Sequence, residues 1–446
     1  MRTRSEINST GWFGHIPDGW EMKPIKALFR FSKGLSITKA DLSEHGVPVV
    51  SYGQIHSKDY NGTGITKSLI RYVPKSVVQN SSSSRVKHGG FIFADTSEDL
   101  AGVGNCSYND GNEDLFGGYH TIVANPLFSS ENKYFAYLFR TDAWRKQLRN
   151  QLVDVKLFSV NQSILGESYV VMPPRDVQRS IVAFLDSRCK PLNEAIARHR
   201  IIIDKLEDYR KAIITKAVTR GLDENVMLVE TGYPWLGEIP EHWRILKLNF
   251  FAHSVLGRML DQKQENGINV HRYLSNRDVQ WFNINTSDLS TMSFPPNSQE
   301  RYGLKRGDLL ICEGGEVGRC AIWNEDDSDI YFQKAIHRLR INRSVAFPEF
   351  IAYQMFQKAK SNRFIEVRRG EATISHLPGD QLNMLKFVIP SLHEQSEIIS
   401  YLDYKCAAID EGINRQEQVI AKLEEYRRSL IFHAVTGRID CTGGAC

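Results

Sequence analysis

The chain has 446 residues, of which 41% are hydrophobic and 24% are charged, and its formal net charge is +4. A globular chain of this length usually folds around more than one hydrophobic core, so we expect about two to four domains. No apolar run approaches the roughly 20 residues of a membrane span, and the first residues lack the apolar core of a signal peptide, which predicts a cytoplasmic protein with no membrane partner.

The seven cysteines are an odd number, and none of them forms a Cys-x-x-Cys pair. This usage argues against a disulfide framework or a structural zinc site, and it fits a reducing compartment. The mildly basic charge permits nucleic-acid binding, but it equally suits a solvated surface.

The first element along the chain is a turn that carries two tryptophans, Trp12 and Trp20, around an Ile-Pro pair. The same turn returns between Trp235 and Trp243. Because proline fixes φ and the indole rings supply large apolar surfaces, we predict that both turns anchor a loop on a domain wall. The Glu and Lys after Trp20 resemble part of a nuclease metal motif, but the second copy lacks both, which argues against a metal site.

Strand-like segments with glycine-containing turns follow in both halves and correspond in pairs. The matching pairs are residues 47–55 with 271–279, 86–93 with 304–311, and 103–106 with 317–320. Both halves then become helical, at residues 134–152 and 348–367, and each reaches a strand that ends in proline, at residues 169–173 and 387–390. Short helices are predicted from Asp176 and His393, and they lead into two longer helices.

The longer helices carry a heptad seam, in which large or apolar residues recur in steps of four and three. The first seam consists of Leu192, Ile196, His199, Ile203, Leu206, Arg210, Ile213 and Ala217. The second consists of Ile409, Ile413, Gln416, Ile420, Leu423, Arg427, Leu430 and Ala434. Each seam predicts an amphipathic helix that needs a partner, and polar residues within a seam fix one alignment, most simply an antiparallel pair. Pro191, absent from the second copy, indicates that the first helix starts or kinks there.

The order of these elements predicts an α+β fold with a pseudo-two-fold internal repeat. Two α/β domains would be separated by two long antiparallel helices that form a coiled-coil spacer. The predicted boundaries are residues 1–172 for the first domain, 173–222 for the first helical spacer region, 223–389 for the second domain, 390–440 for the second helical spacer region and 441–446 for a flexible tail. Because similarity is high in the helices and low in the domains, two copies of one scaffold would present two different surfaces.

Catalytic signatures are missing from the sequence. Residues 62–68 come nearest to a phosphate-binding loop but lack the glycine that precedes lysine, and the Gly-rich residues 313–318 carry two acids where phosphate would bind. No His-Glu-x-x-His pattern occurs. We therefore predict no catalytic residue and no metal site.

Basic, amide and aromatic residues in the divergent segments remain as candidates for DNA binding. In the first domain they are Lys33, Lys39, Tyr52, Gln54, His56, Lys58, Arg85, Lys87, Arg145, Lys146 and Arg149. In the second they are Arg258, Arg272, Tyr273, Asn276, Arg277, Gln280, Arg319, Lys334, Arg368 and Arg369. Arg, Lys, Asn and Gln side chains can read base edges in the major groove, whereas a solvated surface role is the alternative for any one of them.

Taken together, these motifs resemble the specificity (S) subunit of type I DNA restriction-modification systems. The resemblance is carried by the Trp-x-Gly-x-Ile-Pro-x-x-Trp turns, by the Leu-Glu-Asp-Tyr-Arg and Leu-Glu-Glu-Tyr-Arg segments with their following Ala-Val-Thr, and by the linker at residues 221–235. It implies that residues of about 13–172 and 236–389 are two target recognition domains. The helices would then be the spacer between them.

The resemblance also implies a division of labour between subunits. This chain would have no catalytic activity and would hold no cofactor. It would bind double-stranded DNA at a bipartite target, recruit two modification (methyltransferase) subunits that use S-adenosylmethionine, and assemble with restriction (translocase/endonuclease) subunits that use ATP and magnesium. The exposed apolar flanks of the helices, including Ile202 and Val419, are candidates for the methyltransferase interface.

Two other functions remain open from the sequence. The chain could be a nuclease with an unrecognised site, in which case it would cleave or modify DNA without a partner. It could also be a helical scaffold that binds other helices without reading sequence, in which case it would show equal affinity for all DNA sequences or none.

Overall fold

The computed structural model describes residues 11–57, 63–111, 114–128, 130–152, 157–259, 269–295, 298–326, 329–362, 364 and 376–443. The chain divides into two compact units: unit 1 comprises residues 1–199 and 418–446, and unit 2 comprises residues 200–417. Each unit therefore joins one globular domain to a segment of both long helices. No helix within the described ranges combines the length and the apolar character that a membrane crossing requires.

Unit 1 is built from short strands and helices. Its strands are β1 (Glu21–Pro24), β2 (Phe29–Lys33), β3 (Val47–Val50), β4 (Arg71–Val73), β5 (Arg85–Val86), β6 (Phe91–Ala94), β7 (Thr96–Ser97), β8 (Cys106–Tyr108), β9 (Leu115–Gly117), β10 (Thr121–Pro126), β11 (Phe158–Ser159) and β12 (Tyr169–Met172). Its helices are α1 (Tyr52–Ile55), α2 (Lys75–Val78), α3 (Asn132–Leu138), α4 (Asp142–Arg149) and α5 (Gln162–Glu167). Turns of 3-10 helix occur at Ile25–Ala27, Lys39–Asp41, Lys67–Leu69 and Ser82–Ser84.

Two sheets organise unit 1. An antiparallel sheet has the order β2-β10-β6-β8, and a mixed sheet has the order β4-β3-β9-β5, in which β3 and β9 are parallel. Helices α3 and α4 contribute to the core that covers the antiparallel sheet, where Phe29 meets Phe91 and Phe135 edge-on, with ring centroids 5.5 and 5.6 Å apart. The single helix predicted over residues 134–152 is two helices, because Thr141 caps α4 by accepting a hydrogen bond from Trp144 N.

The first long helix, α6 (Arg175–Arg220), is continuous over 46 residues. The short helix predicted from Asp176 is part of α6, and the long helix does not start at Pro191, because Pro191 lies inside α6. A kink at Pro191, the other predicted outcome, stays a prediction. Proline lacks the amide that would bond to the carbonyl one turn earlier. The helix tolerates this loss because packing of its apolar residues, from Ile181 to Val218, stabilises it on both sides of the proline.

Unit 2 repeats the same mixture of elements. Its strands are β13 (Leu228–Glu230), β14 (Glu238–Pro240), β15 (Arg244–Lys247), β16 (Ala252–Leu256), β17 (Val270–Leu274), β18 (Val279–Gln280), β19 (Asn283–Ile284), β20 (Ser290–Ser293), β21 (Leu309–Cys312), β22 (Cys320–Ile322), β23 (Ile330–Phe332), β24 (Ile336–Ile341) and β25 (Lys386–Ile389). A 3-10 turn occurs at Leu248–Phe250. Its helices are α7 (Gln299–Tyr302), α8 (Pro348–Gln357), which continues as a π-helical Lys358–Asn362, and α9 (Gly379–Met384). The second long helix is α10 (Leu392–Val435), which also absorbs the short helix predicted from His393.

The internal repeat is confirmed by the strand order. The antiparallel order β2-β10-β6-β8 of unit 1 returns as β16-β24-β21-β22 in unit 2, and the parallel pair β3–β9 returns as β17–β23. Cys106 lies opposite Phe93 on the neighbouring strand, and Cys320 lies opposite Ile311 in the same way. The α+β fold predicted from the sequence, with two α/β domains and long antiparallel helices, is therefore correct.

The long helices run antiparallel within each unit. In unit 2, Arg210 of α6 forms an ion pair with Asp410 of α10, and Leu206, one turn earlier on α6, packs beside Gly412, farther along α10. In unit 1, Arg427 Nη1 of α10 donates a hydrogen bond to Asn193 Oδ1 of α6 at 2.5 Å.

Side-chain exposure along the helices follows the predicted seam. Buried seam residues are Ile196, Ile213, Ala217, Ile409, Leu430 and Ala434. Half-buried seam residues are Leu192, His199, Ile203, Leu206, Arg210, Ile413, Gln416, Ile420, Leu423 and Arg427. The flanking Ile202 and Val419 remain 41% and 37% exposed, so apolar surface is left beside the seam.

Each tryptophan turn packs against the end of a long helix. In unit 1, Pro17 and Trp20 lie so close to Gly437, which follows α10, that a Cβ there would be 2.4 Å from Pro17 Cγ. In unit 2, Trp243 lies against Gly221, which follows α6. A Cβ added at Gly221 would be 3.2 Å from Trp243 Cζ2. Both glycines have positive φ, which lets the helix end turn away without a side chain in the gap.

Part of the tail predicted to be flexible lies within the described residues. The Cys441 side chain is half-buried against the core of unit 1, and the flexibility of residues 441–446 stays a prediction. Burial, followed by the nearby carboxylate of Asp440, raises the pKa of the Cys441 thiol to about 11. The cysteine at 446 lies outside the described residues.

Glu394 links the start of α10 to the second tryptophan turn. Its carboxylate accepts hydrogen bonds from Ser391 N at 3.2 Å and from Ser391 Oγ at 2.8 Å, and Glu394 N donates to Ser391 Oγ at 3.2 Å, which completes a capping box. The other carboxylate oxygen contacts His242 Nε2 at 2.7 Å and accepts from Trp243 Nε1 at 3.1 Å. Burial raises the pKa of Glu394, but the hydrogen bonds from His242, Ser391 and Trp243 outweigh it and lower the pKa to about 2.

We expect Glu394→Gln to destabilise unit 2 by about 1–2 kcal/mol at pH 7, because a helix cap and a charge-assisted contact are weakened together. The folded pKa of about 2 lies below the ordinary 4.5, so this stabilisation is present above pH 4.5 and is lost as the pH falls toward 2. Hydrogen exchange across a urea series, read at residues 386–400, measures the local free energy of unfolding. Glu397→Gln is the matched control because Glu397 is exposed and pairs with the exposed His393 one turn away; equal effects of both variants would contradict the prediction.

The polar contacts between the helices give a second, reciprocal prediction. Asn193 and Asp410 occupy corresponding positions in the two copies, but Asp410 offers its arginine a carboxylate where Asn193 offers an amide. Asn193→Asp should therefore stabilise the helix pair of unit 1, and Asp410→Asn should destabilise that of unit 2, each by about 0.5–1 kcal/mol. Hydrogen exchange of the helical peptides in each unit measures both effects. If both substitutions changed the stability of the helix pair in the same direction, the carboxylate would not be the stabilising group.

Candidate nucleic-acid interface

In unit 1, several predicted residues converge on a histidine that the sequence did not single out. His120 lies between two surface cavities of about 570 and 700 Å³. Lys33 lines the first cavity, and Tyr52 and His56 line the second. In the sequence, Tyr119 and His120 follow two consecutive glycines and precede the apolar strand β10. This pattern alone indicates a binding residue only weakly.

Aromatic rings surround His120. The Tyr52 ring centroid lies 5.3 Å from that of His120 and 5.6 Å from that of Tyr119. His120 Nδ1 is 3.4 Å from Asp95 Oδ1, and 61% of the histidine side chain is exposed. The cluster therefore combines stacking surfaces, an imidazole and a carboxylate at one accessible position.

The neighbouring His56 is held by contacts within unit 1 and packs against this cluster. Its Nε2 lies 2.9 Å from Thr96 O, and its Nδ1 lies 3.2 Å from Asn105 Nδ2. Both ring nitrogens are therefore occupied by the protein. The geometry gives His56 a positioning role beside Tyr52, with which its ring makes an edge contact.

The other candidates from unit 1 have varied surroundings. Gln54 Oε1 accepts a hydrogen bond from Ser51 N at 3.1 Å, and Arg85 forms an ion pair with Asp114. Lys39 and Lys87 are exposed. Lys58 lies outside the described residues.

The three basic residues of α4 are engaged in contacts within the protein. Arg145 donates hydrogen bonds to Phe139 O at 3.0 Å and Ala101 O at 2.9 Å. Lys146 and Arg149 both pair with Asp142, at 3.4 and 2.6 Å. Burial raises the pKa of Asp142, but these two cations outweigh it and hold the pKa below its ordinary value. Helix stability accounts for these contacts, and whether the same residues bind DNA stays a prediction.

In unit 2, Asn276 and Arg319 are brought together. Arg319 Nη2 donates to Asn276 O at 2.6 Å, and Asn276 Nδ2 donates to Gly314 O at 3.1 Å. Asn276 Oδ1 and Arg319 Nε are buried polar atoms without a hydrogen-bond partner in the described part of the chain. Both atoms lie beside one glycine-rich loop and are closed to solvent.

Glu316 on the same loop connects this pair to the helical side of unit 2. Its carboxylate accepts a hydrogen bond from Trp281 Nε1 at 2.8 Å and pairs with Lys360. Burial raises the pKa of Glu316, but hydrogen bonds from Lys360 and Trp281 and the charge of Arg319 outweigh it, so the pKa is lowered. The loop thus presents a fixed negative charge next to the Arg319 guanidinium.

The remaining candidates of unit 2 lie on neighbouring turns and strands. Lys334 N donates to Arg258 O at 2.5 Å, which places these two residues side by side. Gln280 Nε2 donates to Arg277 O at 2.6 Å. Arg272 is exposed on β17, whereas Tyr273 beside it is buried. Arg368 and Arg369 lie outside the described residues.

The fold is duplicated, and the polar clusters of the two units differ in residue type. The sequence profile of the type I restriction modification DNA specificity domain matches residues 17–203 and 240–421. The chain therefore belongs to this family, and its function is DNA recognition within a type I restriction-modification complex.

Curated relatives cover nearly the whole chain. The specificity subunit of the type I restriction enzyme EcoKI from Escherichia coli K12 is 20% identical over 439 residues, which are 96% of this chain and 90% of the relative. The putative specificity subunit of the MjaX enzyme from Methanocaldococcus jannaschii is 21% identical over 434 residues, 96% of this chain and 95% of the relative.

One solved structure supports the fold over almost the same extent. It comes from work on complex assembly and conformational transition of the type I restriction-modification system. The match has a TM-score of 0.64 and 16% identity, and it covers 95% of this chain and 100% of that chain. At this identity the likeness applies to the fold alone.

Proposed function

We propose that each globular domain reads one half of a bipartite DNA target, that the paired helices set the gap between the halves, and that the chain itself performs no catalysis. The observation that carries the proposal is the repeated strand order with unlike polar clusters. Unit 1 presents Tyr52, Tyr119 and His120, whereas unit 2 presents Asn276 and Arg319. Aromatic and imidazole groups differ from amide and guanidinium groups in the base edges they can contact, so two different half-targets follow.

We further propose that the helices dock two methyltransferase subunits. The repeat places exposed apolar residues at corresponding positions of both helices, Ile202 with Val419 and Tyr209 with Tyr426, of which Tyr209 and Tyr426 are 50% and 58% exposed. Burial within this chain does not explain why both copies keep these residues. Two equivalent patches suit two copies of one partner.

The chemistry then belongs to the partner subunits. The methyltransferase subunits would bind S-adenosylmethionine and modify the target, and the restriction subunits would use ATP and magnesium. This chain would determine where that chemistry occurs. Its contact with DNA phosphates through lysine and arginine side chains would make the affinity fall with rising salt concentration.

Exchange of one domain tests the division of the target. Replacing residues 13–172 with the corresponding domain of a relative that reads another target should change one half of the recognised sequence and preserve the other half and the gap. The readout is the sequence motif that the complex with methyltransferase subunits enriches from a pool of randomised duplexes.

The exchange of residues 236–389 is the matched control, and it should change the opposite half. A change in both halves, or in neither, would contradict the division. A nuclease would instead cleave DNA without partners, and a scaffold without sequence reading would enrich no motif.

Lengthening both helices tests their role in setting the gap. Duplicating residues 193–199 in α6 and residues 410–416 in α10 adds one heptad at corresponding positions and preserves both seams. Seven residues add roughly 10 Å to a helix, so the preferred gap should grow by about three base pairs. An unchanged gap with full binding would show that the helices do not set it. Duplicating residues 193–199 alone shifts one seam against the other, and this control should weaken binding without defining a new gap.

A further inference from the structure

The turn that joins the parallel strand to the antiparallel sheet has the same length and the same strand contact in both units. This crossover turn comprises residues 118–120 between β9 and β10 in unit 1, and residues 333–335 between β23 and β24 in unit 2. Gly118 N donates to Val50 O at 2.7 Å, and Gln333 N donates to Leu274 O at 3.0 Å. The turn therefore starts from the same strand pairing in each unit.

The last residue of the crossover turn has a rare conformation in both units. His120 has a φ of 53° and Ala335 a φ of 85°, although neither is a glycine. Their carbonyl oxygens accept hydrogen bonds from Asp95 N at 3.2 Å and from Glu313 N at 2.8 Å. Left-handed backbone at a residue other than glycine is uncommon and persists where surrounding contacts impose it. The scaffold thus fixes this backbone, whatever side chain it carries.

A second repeated turn lies next to the first. Ser51 N donates to Gln54 Oε1 at 3.1 Å, and Ser275 N donates to Asp278 Oδ2 at 2.8 Å in the corresponding place. In unit 1, Tyr52 N of this turn also donates to Tyr119 O of the crossover turn at 3.3 Å.

The side chains on the crossover turn differ between the units. Unit 1 has Tyr119 and His120, whereas unit 2 has Lys334 and Ala335. The His120 side chain is 61% exposed, and Lys334 is exposed as well. Tyr119 and Ala335 are half-buried, but His120 and Lys334 face solvent, so packing does not account for these two side chains. Recognition of different ligand surfaces can explain them.

Contacts within unit 1 hold the His120 ring in a defined position. Asp95 lies 3.4 Å from Nδ1 and itself accepts a hydrogen bond from Thr96 Oγ1 at 2.7 Å. The rings of Tyr52 and Tyr119 lie on other sides, at centroid distances of 5.3 and 6.2 Å. Among the described residues, Nε2 has no hydrogen-bond partner. One polar atom of a positioned, exposed ring is therefore left for a ligand.

We propose that the crossover turn is the base-reading element of each domain, with His120 and Lys334 as specificity-determining residues in units 1 and 2. The proposal rests on the bipartite reading proposed above and assigns that reading to particular residues. His120 Nδ1 lies 3.4 Å from Asp95 Oδ1, so in the neutral tautomer that carries its proton on Nδ1 the Nε2 atom accepts a hydrogen bond, as from the amino group of adenine or cytosine. The Lys334 ammonium donates, as to the acceptor atoms of guanine.

Transplanting the turn tests this assignment. The double variant Y119K/H120A gives unit 1 the residues that unit 2 carries, and Ala335 shows that the backbone accepts alanine at this φ. Gly118 is kept, since a Cβ there would lie 2.0 Å from Ser51 Oγ. The complex with methyltransferase subunits is presented with randomised duplexes, and the enriched motif is sequenced. We expect one or two base pairs to change in a single half of the motif, and roughly 10- to 100-fold weaker binding of the original target.

Matched variants complete the design. The reciprocal K334Y/A335H should change only the other half of the motif. His45→Ala removes an exposed histidine of unit 1 outside the crossover turn and should leave the motif unchanged. If Y119K/H120A does not fold, His120→Asn is measured instead, because asparagine tolerates left-handed backbone.

The possible outcomes separate this proposal from the bipartite function. A folded turn variant that keeps the original motif, or that weakens binding to all sequences alike, would overturn the assignment to the crossover turn and leave bipartite reading intact. A wild-type complex that enriches no bipartite motif would overturn the function itself.

Discussion

The seam between α6 and α10 is the contact on which both globular units depend. Helix α6 begins in unit 1 and ends in unit 2, and α10 runs through the units in the opposite order. Each unit consequently contains one segment of each helix, and each tryptophan turn packs against the end of the helix from the other copy, at Gly437 or Gly221. Half of the chain with only its own helix would leave a seam and a tryptophan turn uncovered. Each helix therefore buries apolar surface of the other copy. This constraint explains why the two helices have diverged less in sequence than the two domains.

A fixed scaffold allows the exposed turns to vary at low cost in stability. The left-handed backbone at His120 and Ala335 is set by hydrogen bonds to the carbonyl oxygen, not by the side chain. Substitution there changes what is presented to a ligand and hardly changes the core. DNA specificity requires this separation, because a protein that reads many different targets over evolutionary time must alter base contacts without losing its fold.

The sequence predicted the parts of this protein that are repetitive. Two copies of a heptad seam fixed the positions of the helices, and matching glycine turns such as the one before Cys106 and Cys320 located equivalent strands. Boundaries were harder to predict, since a proline inside a helix usually marks its start, whereas tertiary packing keeps α6 intact across Pro191.

The residues of the proposed binding surface were only partly predictable, for a related reason. Tyr52 and His56 could be chosen by residue type, but His120 acquires its importance from strand pairing that joins distant parts of the chain. Arg145 shows the opposite case, because a basic residue in a divergent helix is bonded to two carbonyl oxygens of its own unit. Residue type alone cannot distinguish an arginine that faces a ligand from one that stabilises a turn.

The most direct measurement is a genome-wide map of methylated bases in cells that carry this chain with its methyltransferase subunits. Two unlike domains joined by the α6–α10 helix pair predict one motif with two short specific blocks, separated by a gap of constant length and free sequence. A single continuous motif, or two blocks at variable separation, would contradict the account.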